Sequence, residues 1–215
     1  MRVLFDNLHY FVDGFRVTVL LFLLSAVASL VGGTVLAMMR VSPVPVFRAA
    51  GTLYVTVVRN TPLTLVFLFF VFAYPLLEIV ELSYFAAAVV ALSVYTSAFI
   101  CEVVRSGINT VPVGQAEAAR ALGLGFSQSL GLVILPQAVR AVAPPMISTL
   151  IALLKNTTIA AGFSVAEAGA IRQILSERGE NQLLVLTFVA LGFIVLVLVL
   201  TLVQRALEKR WSRAR

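Results

Sequence analysis

The sequence predicts an all-α membrane protein with five transmembrane helices and one long polar loop between the third and the fourth. Three observations predict it. The 215 residues are 60% hydrophobic and 12% charged, with a mean hydropathy of +1.03, whereas a soluble domain carries about a quarter charged residues. Five apolar runs are each long enough to cross a hydrocarbon core of roughly 30 Å. The cations gather beside the ends of these runs, and Arg205, Lys209, Arg210, Arg213 and Arg215 crowd the C-terminus. Despite a net charge of +6, that placement is a positive-inside anchor and gives no face for nucleic acid.

The chain reads as one transmembrane domain over 1–215. Asp6 and Asp13 precede the first run, 17–39, so it lacks the basic start and cleavage site of a secretory signal and is expected to stay as the first span. Ser25, Ser29 and Gly33 recur every four residues along it, a small-residue stripe that lets a second helix approach closely. Arg40 and Arg48 lie in a short connection where Pro43 and Pro45 are expected to stop helix propagation. The second span, 53–79, is interrupted by Arg59-Asn60-Thr61-Pro62. Either Arg59 snorkels to the membrane surface, or the helix bends there and its freed backbone groups line a cavity.

Glu78 and Glu81 mark the turn into the third span, 84–104. Near its end Glu102 stands three residues before Arg105, a spacing that lets the two pair. A fourth span, 138–163, is expected to be bent near its start by Pro144-Pro145 and is interrupted by Lys155-Asn156-Thr157-Thr158, a polar break tolerated only where it faces protein or water. The segment 167–182, with its mixed charges, is expected outside the membrane with a short helix in it, and 183–203 is the last span. Five spans put the termini on opposite sides. Placing the basic C-terminus in the cytoplasm puts Arg40, Arg48, Arg105, Arg120 and Arg140 there too, and the N-terminus outside.

Several chemistries are excluded. One cysteine and one histidine leave no soft-metal site. No G-x-x-x-x-G-K-[ST] phosphate loop is present, nor the signatures of a membrane hydrolase. Arg59, Thr61, Glu102, Lys155, Asn156 and Thr157 are polar groups within or beside spans, which marks either a translocation pathway or structural pairing. Five helices are too few for the two repeats of most secondary transporters, so the chain reads as one part of a larger assembly.

The polar loop, 105–137, carries a short helix over 115–122, a turn at Gly123-Leu124-Gly125, and a second helix expected to stop at Pro136. A rigid hairpin of this kind suits docking onto a partner. On composition and topology alone, a scaffold or sensor subunit with a partner-binding hairpin fits as well as a transport subunit.

Glu117-Ala118-Ala119, Gly123 and Leu135-Pro136 stand at the spacing of the EAA loop, and the chain resembles the permease subunits of ATP-binding-cassette importers. Val133 takes the place of the usual isoleucine. Arg59-Asn60-Thr61-Pro62, Glu102 to Ile108, Leu135 to Arg140 and Lys155-Asn156-Thr157-Thr158 resemble the polar amino acid branch, most closely its glutamate and glutamine systems. The resemblance implies a type I importer permease fold in a bacterial cytoplasmic membrane. It also implies pairing with an identical or sister permease, two cytoplasmic ATPase subunits that hold ATP and Mg, and an extracytoplasmic solute-binding protein. No cofactor is expected on this chain. In such a subunit Glu117, Ala118, Ala119, Gly123, Leu135 and Pro136 form the connection to the ATPase, the Ala118-Ala119 helix docking in a cleft there. Transport of a polar amino acid, glutamate first, is the function the resemblance implies.

Overall fold

The structure, a computed structural model, describes residues 2–212, and its regular elements are all helical. In order they are α1 (Arg2–Asp6), α2 (Leu8–Val41), α3 (Pro45–Arg59), α4 (Leu63–Leu68), α5 (Tyr84–Asn109), α6 (Val113–Ala121), α7 (Phe126–Gln128), α8 (Leu135–Asn156), α9 (Ile171–Glu177) and α10 (Gln182–Ser212). Wider π-type winding at Phe69–Ala73 and Ser129–Ile134, and tight 3₁₀ turns at Tyr74–Leu77, Thr157–Phe163 and Ala168–Ala170, join several of them. Four stretches are long and apolar enough to cross a bilayer, and the bent pair Pro45–Arg59 with Leu63–Leu77 makes a fifth when counted as one span. Arg213 and Arg215 of the basic tail lie outside the described residues.

α5 is the centre of the bundle, packed against α2, α3, α4 and α8. Its seam with α2 is the small-residue stripe. Ser25 and Ser29 are fully buried, and a Cβ added at Gly33 would stand 2.5 Å from Ile100 Cγ2 and 2.8 Å from the Ser97 carbonyl oxygen. Only a glycine fits there, because no real Cβ tolerates backbone at that distance. Leu21 of α2, Phe67 of α4, Leu92 of α5 and Leu153 of α8 fill the main core beside this seam. A smaller core gathers Phe11, Ile171, Leu175 and Val185 where α9 and α10 close on the start of α2. The long apolar side chains of α10, such as Ile194, Leu198 and Leu202, stay exposed, as side chains facing lipid do.

Several sequence-based boundaries move. The first span is longer than 17–39, because backbone hydrogen bonding runs unbroken from Leu8 through the exposed Asp13 and Arg16. Polarity marks where lipid would end; it does not end a helix. Pro45 opens α3 where a stop was expected, since at the first helical turn its missing N–H costs nothing. The second span is two helices meeting at 104°: Pro62 has no N–H to continue the ladder and biases Thr61 away from helical geometry. The third span continues past 104 to Asn109. Pro136 does not stop its helix either. It sits in the first turn of α8, after the π-type segment has already shifted the hydrogen-bond register, and Gln137 Nε2 donates to the Val133 carbonyl at 2.8 Å. Phe126–Phe163 therefore forms one long helical span.

The segment 167–182 also differs from a simple solvated connection. Glu167, expected among its surface charges, is fully buried. Thr18 Oγ1 of α2 lies 3.0 Å from Glu167 Oε2 and 3.1 Å from the Gly14 carbonyl, and it accepts the Ala168 N–H at 3.0 Å. Gly169 N–H donates to Glu167 Oε1 at 2.7 Å. Thr18 has one proton, so it cannot donate to both the carboxyl and Gly14. A neutral Glu167 that donates to Thr18 Oγ1, while Thr18 donates to Gly14, leaves every group satisfied. Burial pushes the Glu167 carboxyl up to about 7, against the opposing bonds from Thr18 and the backbone N–H groups of Gly169 and Ala168.

A carboxyl whose folded pKa is raised favours folding in its protonated form. Its contribution is full below the ordinary value of 4.5 and is lost as pH rises to about 7. The shift corresponds to about 3 kcal/mol. Glu167→Gln keeps the neutral bonding pattern, so its Tm in detergent is expected to stay level between these pH values while that of the unsubstituted protein falls. Parallel pH profiles for the two proteins would show that folding does not shift the Glu167 carboxyl.

Candidate functional site

Four charged residues, Arg40, Arg59, Glu102 and Arg105, gather near the last turns of α5, the helix that leads to α6. Glu102, near the last turns of α5, reaches between the ends of α2 and α3. Its Oε1 accepts from Arg40 Nη1 and its Oε2 from Arg105 Nη2, the latter at 2.9 Å. Arg59, the last residue of α3, brings Nη1 to 3.7 Å of Oε1 and lays its guanidinium 5.4 Å from the centroid of the Phe99 ring. Glu102 thus pairs with Arg105 as its spacing allows, and also with two arginines far away in sequence. Arg40 was read only as loop charge, and nothing local points 62 residues ahead to Glu102.

Two open cavities meet at Phe99, and one of them opens on this cluster. One, of about 280 Å³, is lined by Val55, Thr56, Arg59, Asn60, Phe99 and Glu102. The other, of about 300 Å³, lies between α5 and α8, with Tyr95, Thr96, Phe99, Ser148, Thr149 and Asn156 on its walls. It contains no charged side chain. Ser148 and Thr149 bond back to the carbonyls of Pro144 and Pro145 at 3.2 and 2.9 Å, which holds the hydroxyls on the α8 wall.

Of the six candidate pathway residues, Arg59 and Glu102 come together, and Asn156 lines the second cavity, which shares Phe99 with theirs. Thr157 is fully buried and donates to the Leu154 carbonyl at 2.7 Å, where the chain tightens from α8 into a 3₁₀ turn. Thr61 donates to the Val57 carbonyl at 2.9 Å and Lys155 is exposed, and neither lines these two cavities. Ser148, Ala152 and Asn156 recur at helical spacing on one face of α8, which together with Thr149 forms the α8 wall of the second cavity.

The loop after α5 is a short helix and a glycine turn, as expected. Gly123 adopts φ +82°, its N–H bonds to the Arg120 carbonyl at 2.9 Å, and Leu124 N–H bonds to that of Ala119 at 3.1 Å. This is a Schellman closure, and the positive φ favours glycine there. Gln128 Oε1 then accepts the Gly125 N–H at 3.0 Å. Ala119 is buried in the contact of α6 with the π-type segment before α8, so it braces the hairpin from within. Glu117, Ala118 and Pro136 are exposed. Leu135 is about half exposed, while Leu122 and Phe126 are 82% and 81% exposed. The large apolar pair flanking the glycine turn is the signal that sequence reasoning missed. Among the described residues no group of three or more metal-binding side chains occurs.

Phe99 is the only residue shared by both cavity walls. Phe99→Ala is expected to join the two, so that a cysteine placed at Asn156 reacts faster with a water-soluble thiol reagent added from the α6 side. Equal labelling rates with and without Phe99 would mean that the ring does not separate them.

Comparison with known proteins agrees with this architecture. Residues 17–213 match the family model described as binding-protein-dependent transport system inner membrane component. The chain is 48% identical over 196 residues to the glutamate transport system permease protein GluC of Corynebacterium efficiens, covering 86% of each chain. It is 37% identical over 214 residues to the probable glutamine ABC transporter permease protein GlnM of Bacillus subtilis, covering 100% of this chain and 99% of that one. Among solved structures, one described as an amino acid ABC transporter with histidines superimposes with a TM-score of 0.91 at 25% identity, covering 97% of each chain.

Proposed function

Because the chain belongs to the family of binding-protein-dependent transport system inner membrane components, whose members are transport subunits, we propose that it forms the translocation pathway for a polar amino acid, glutamate first. The observation that carries this reading is the pair of cavities meeting at Phe99, one neutral and hydroxyl-lined, the other bearing Arg59 and Glu102. An amino acid is a small zwitterion, and a route with polar walls and charge at one end suits it better than lipid-like walls. Glutamate is favoured by the similarity to GluC. Thr61, Lys155 and Thr157 belong to the same proposed route beyond these two cavities, Thr157 by holding the turn that ends α8.

ATP and Mg are held by two partner ATPase subunits, and this chain hydrolyses nothing itself. A second permease, identical or a sister chain, completes the membrane domain within lipid. A solute-binding protein delivers substrate from outside. The N-terminus lies outside and the C-terminus in the cytoplasm of a bacterial cell, which puts α6 on the cytoplasmic side. There Glu117 offers a charge, Ala118 a close approach, and Leu122 and Phe126 an apolar tip. Gly123, Leu135, Pro136 and the bracing Ala119 hold the hairpin at a fixed angle to α8. A rigid knob transmits the motion of a nucleotide cycle to the spans, as coupling between distant sites requires.

Uptake by proteoliposomes holding the permease, the ATPase and the binding protein tests the substrate. With a panel of radiolabelled amino acids, glutamate is expected to lead. ATP-dependent uptake of none of them would overturn the reading. In the same assembly, Glu117→Ala and Gly123→Pro are expected to leave the protein in the membrane and ATP hydrolysis running, while uptake falls by about tenfold or more, the worth of one charge-assisted contact or a helix-breaking residue. Normal uptake by Gly123→Pro would remove the coupling role of the hairpin.

A further inference from the structure

The fold does not need three guanidiniums around one carboxylate. Glu102 has two oxygens, and Arg40 and Arg105 each take one. Arg59 only approaches the oxygen that Arg40 already holds, at 3.7 Å, which is beyond hydrogen-bond distance. Its other contact is the face of Phe99, an attraction that leaves the guanidinium N–H groups free to donate. Its side chain is also the most exposed of the three, at 45% against 14% for Arg40 and 37% for Arg105. Three arginines against one glutamate leave this cluster with a formal surplus of two positive charges.

A second group is unsatisfied. Arg105 Nε is buried with no hydrogen-bond partner, and a buried donor without an acceptor is unfavourable. Arg59 and Arg105 share the wall of a further cavity of about 340 Å³, with Glu102, Thr110, Ala141 and Pro145 around it. Arg59 stands between this cavity and the one beside Phe99, since it lines both. Surplus positive charge and a loosely held guanidinium beside open space, with an unsatisfied donor buried just behind it, describe a site suited to an anion.

We infer that the cluster is a carboxylate-binding station at the α6 end of the route, where Arg59 leaves Glu102 and takes the carboxylate of the amino acid in transit. Arg105, which lines the same cavity with a side chain 37% exposed, supplies the second donor from the outer end of its guanidinium. Glu102 is the competitor: it holds Arg59 nearby when the station is empty, and its negative charge keeps the station weak enough to release its cargo. Arg40 and Arg105 keep Glu102 in place through the exchange, so only one side chain has to move. What the station recognises is the carboxylate. It therefore serves any α-amino acid, and an acidic side chain adds a second anionic group for the surplus charge. The inference rests on the proposed amino acid route.

Calorimetry on the detergent-purified complex of the full chain with its ATPase, without binding protein, tests it. The probes are L-glutamate, L-glutamine, which lacks the second carboxylate, and L-glutaminamide, which lacks both. Affinity is expected to fall in that order, with no measurable binding of the amide. Arg59→Gln should weaken glutamate binding about tenfold or more, the worth of a charge-assisted bond, and Arg59→Lys should recover part of it. Glu102→Gln should tighten binding, because it removes the competitor. A merely structural Arg59 would move the Arg59→Gln and Glu102→Gln variants in the same direction, toward weaker binding, and that result overturns the inference. If Glu102→Gln does not fold, the Arg59→Gln and Arg59→Lys pair decides: affinities equal to the unsubstituted protein overturn it. Glutaminamide binding as tight as glutamine also overturns it. Uptake by the unsubstituted complex is measured alongside. Uptake with no effect at Arg59 defeats the station alone, whereas no uptake of any amino acid defeats the route on which it rests.

Discussion

A charged side chain beside a lipid-facing helix is tolerable only when opposite charge or water answers it, and at the α6 end of this bundle the answer is Glu102. Its carboxylate draws Arg40, Arg59 and Arg105 to one point, and so fixes the ends of α2, α3 and α5 relative to one another. Without it, three guanidiniums would repel one another at close range. The convergence also needs α2 and α5 in close contact, which the stripe through Ser25, Ser29 and Gly33 permits. Packing brings the helices together and electrostatics sets how their ends meet.

The opposite end of α2 is held by different chemistry. There Glu167 is fully buried and bound to a hydroxyl and a backbone N–H, with no arginine in the network. A carboxyl in such a setting is comfortable when neutral, as one at the Glu102 position is when ionised. The two glutamates therefore do opposite work. Glu102 binds helix ends through full charges near open cavities, and Glu167 clasps the turn after α8 to α2 through hydrogen bonds in a closed core.

Between these ends the spans are irregular where function is proposed. Pro62 breaks one span into two helices at 104°, and that bend delivers Arg59 to Glu102 and Phe99. The π-type winding ahead of Pro136 lets α8 continue from the hairpin into the membrane without a stop. The hairpin is thus joined without a break to the helix whose Ser148, Thr149 and Asn156 line the neutral cavity, the connection that the proposed coupling requires. Ala119, buried against that winding, stiffens the joint from inside.

The all-helical membrane class, the number of apolar runs, the α2 contact stripe and the helix, turn and second helix of the polar loop were legible in the sequence, because each is a local matter. Length, hydropathy, residue size at helical spacing and a glycine that must take positive φ are all written within a few turns of chain. Proline was read less well. Pro45 and Pro136 start helices instead of ending them, since the effect of a missing N–H depends on which turn of the helix it falls in. Glu102 with Arg105 was visible at three residues' spacing, but Arg40 and Arg59 were not visible as its partners. The burial of Glu167 was equally hidden, because its partner Thr18 lies 149 residues away. Sequence alone determined which segments are helical and apolar. Only the tertiary structure decided which charges meet, which carboxyl is enclosed and where the cavities open, since electrostatics and burial depend on distance through space and carry no local signature along the chain.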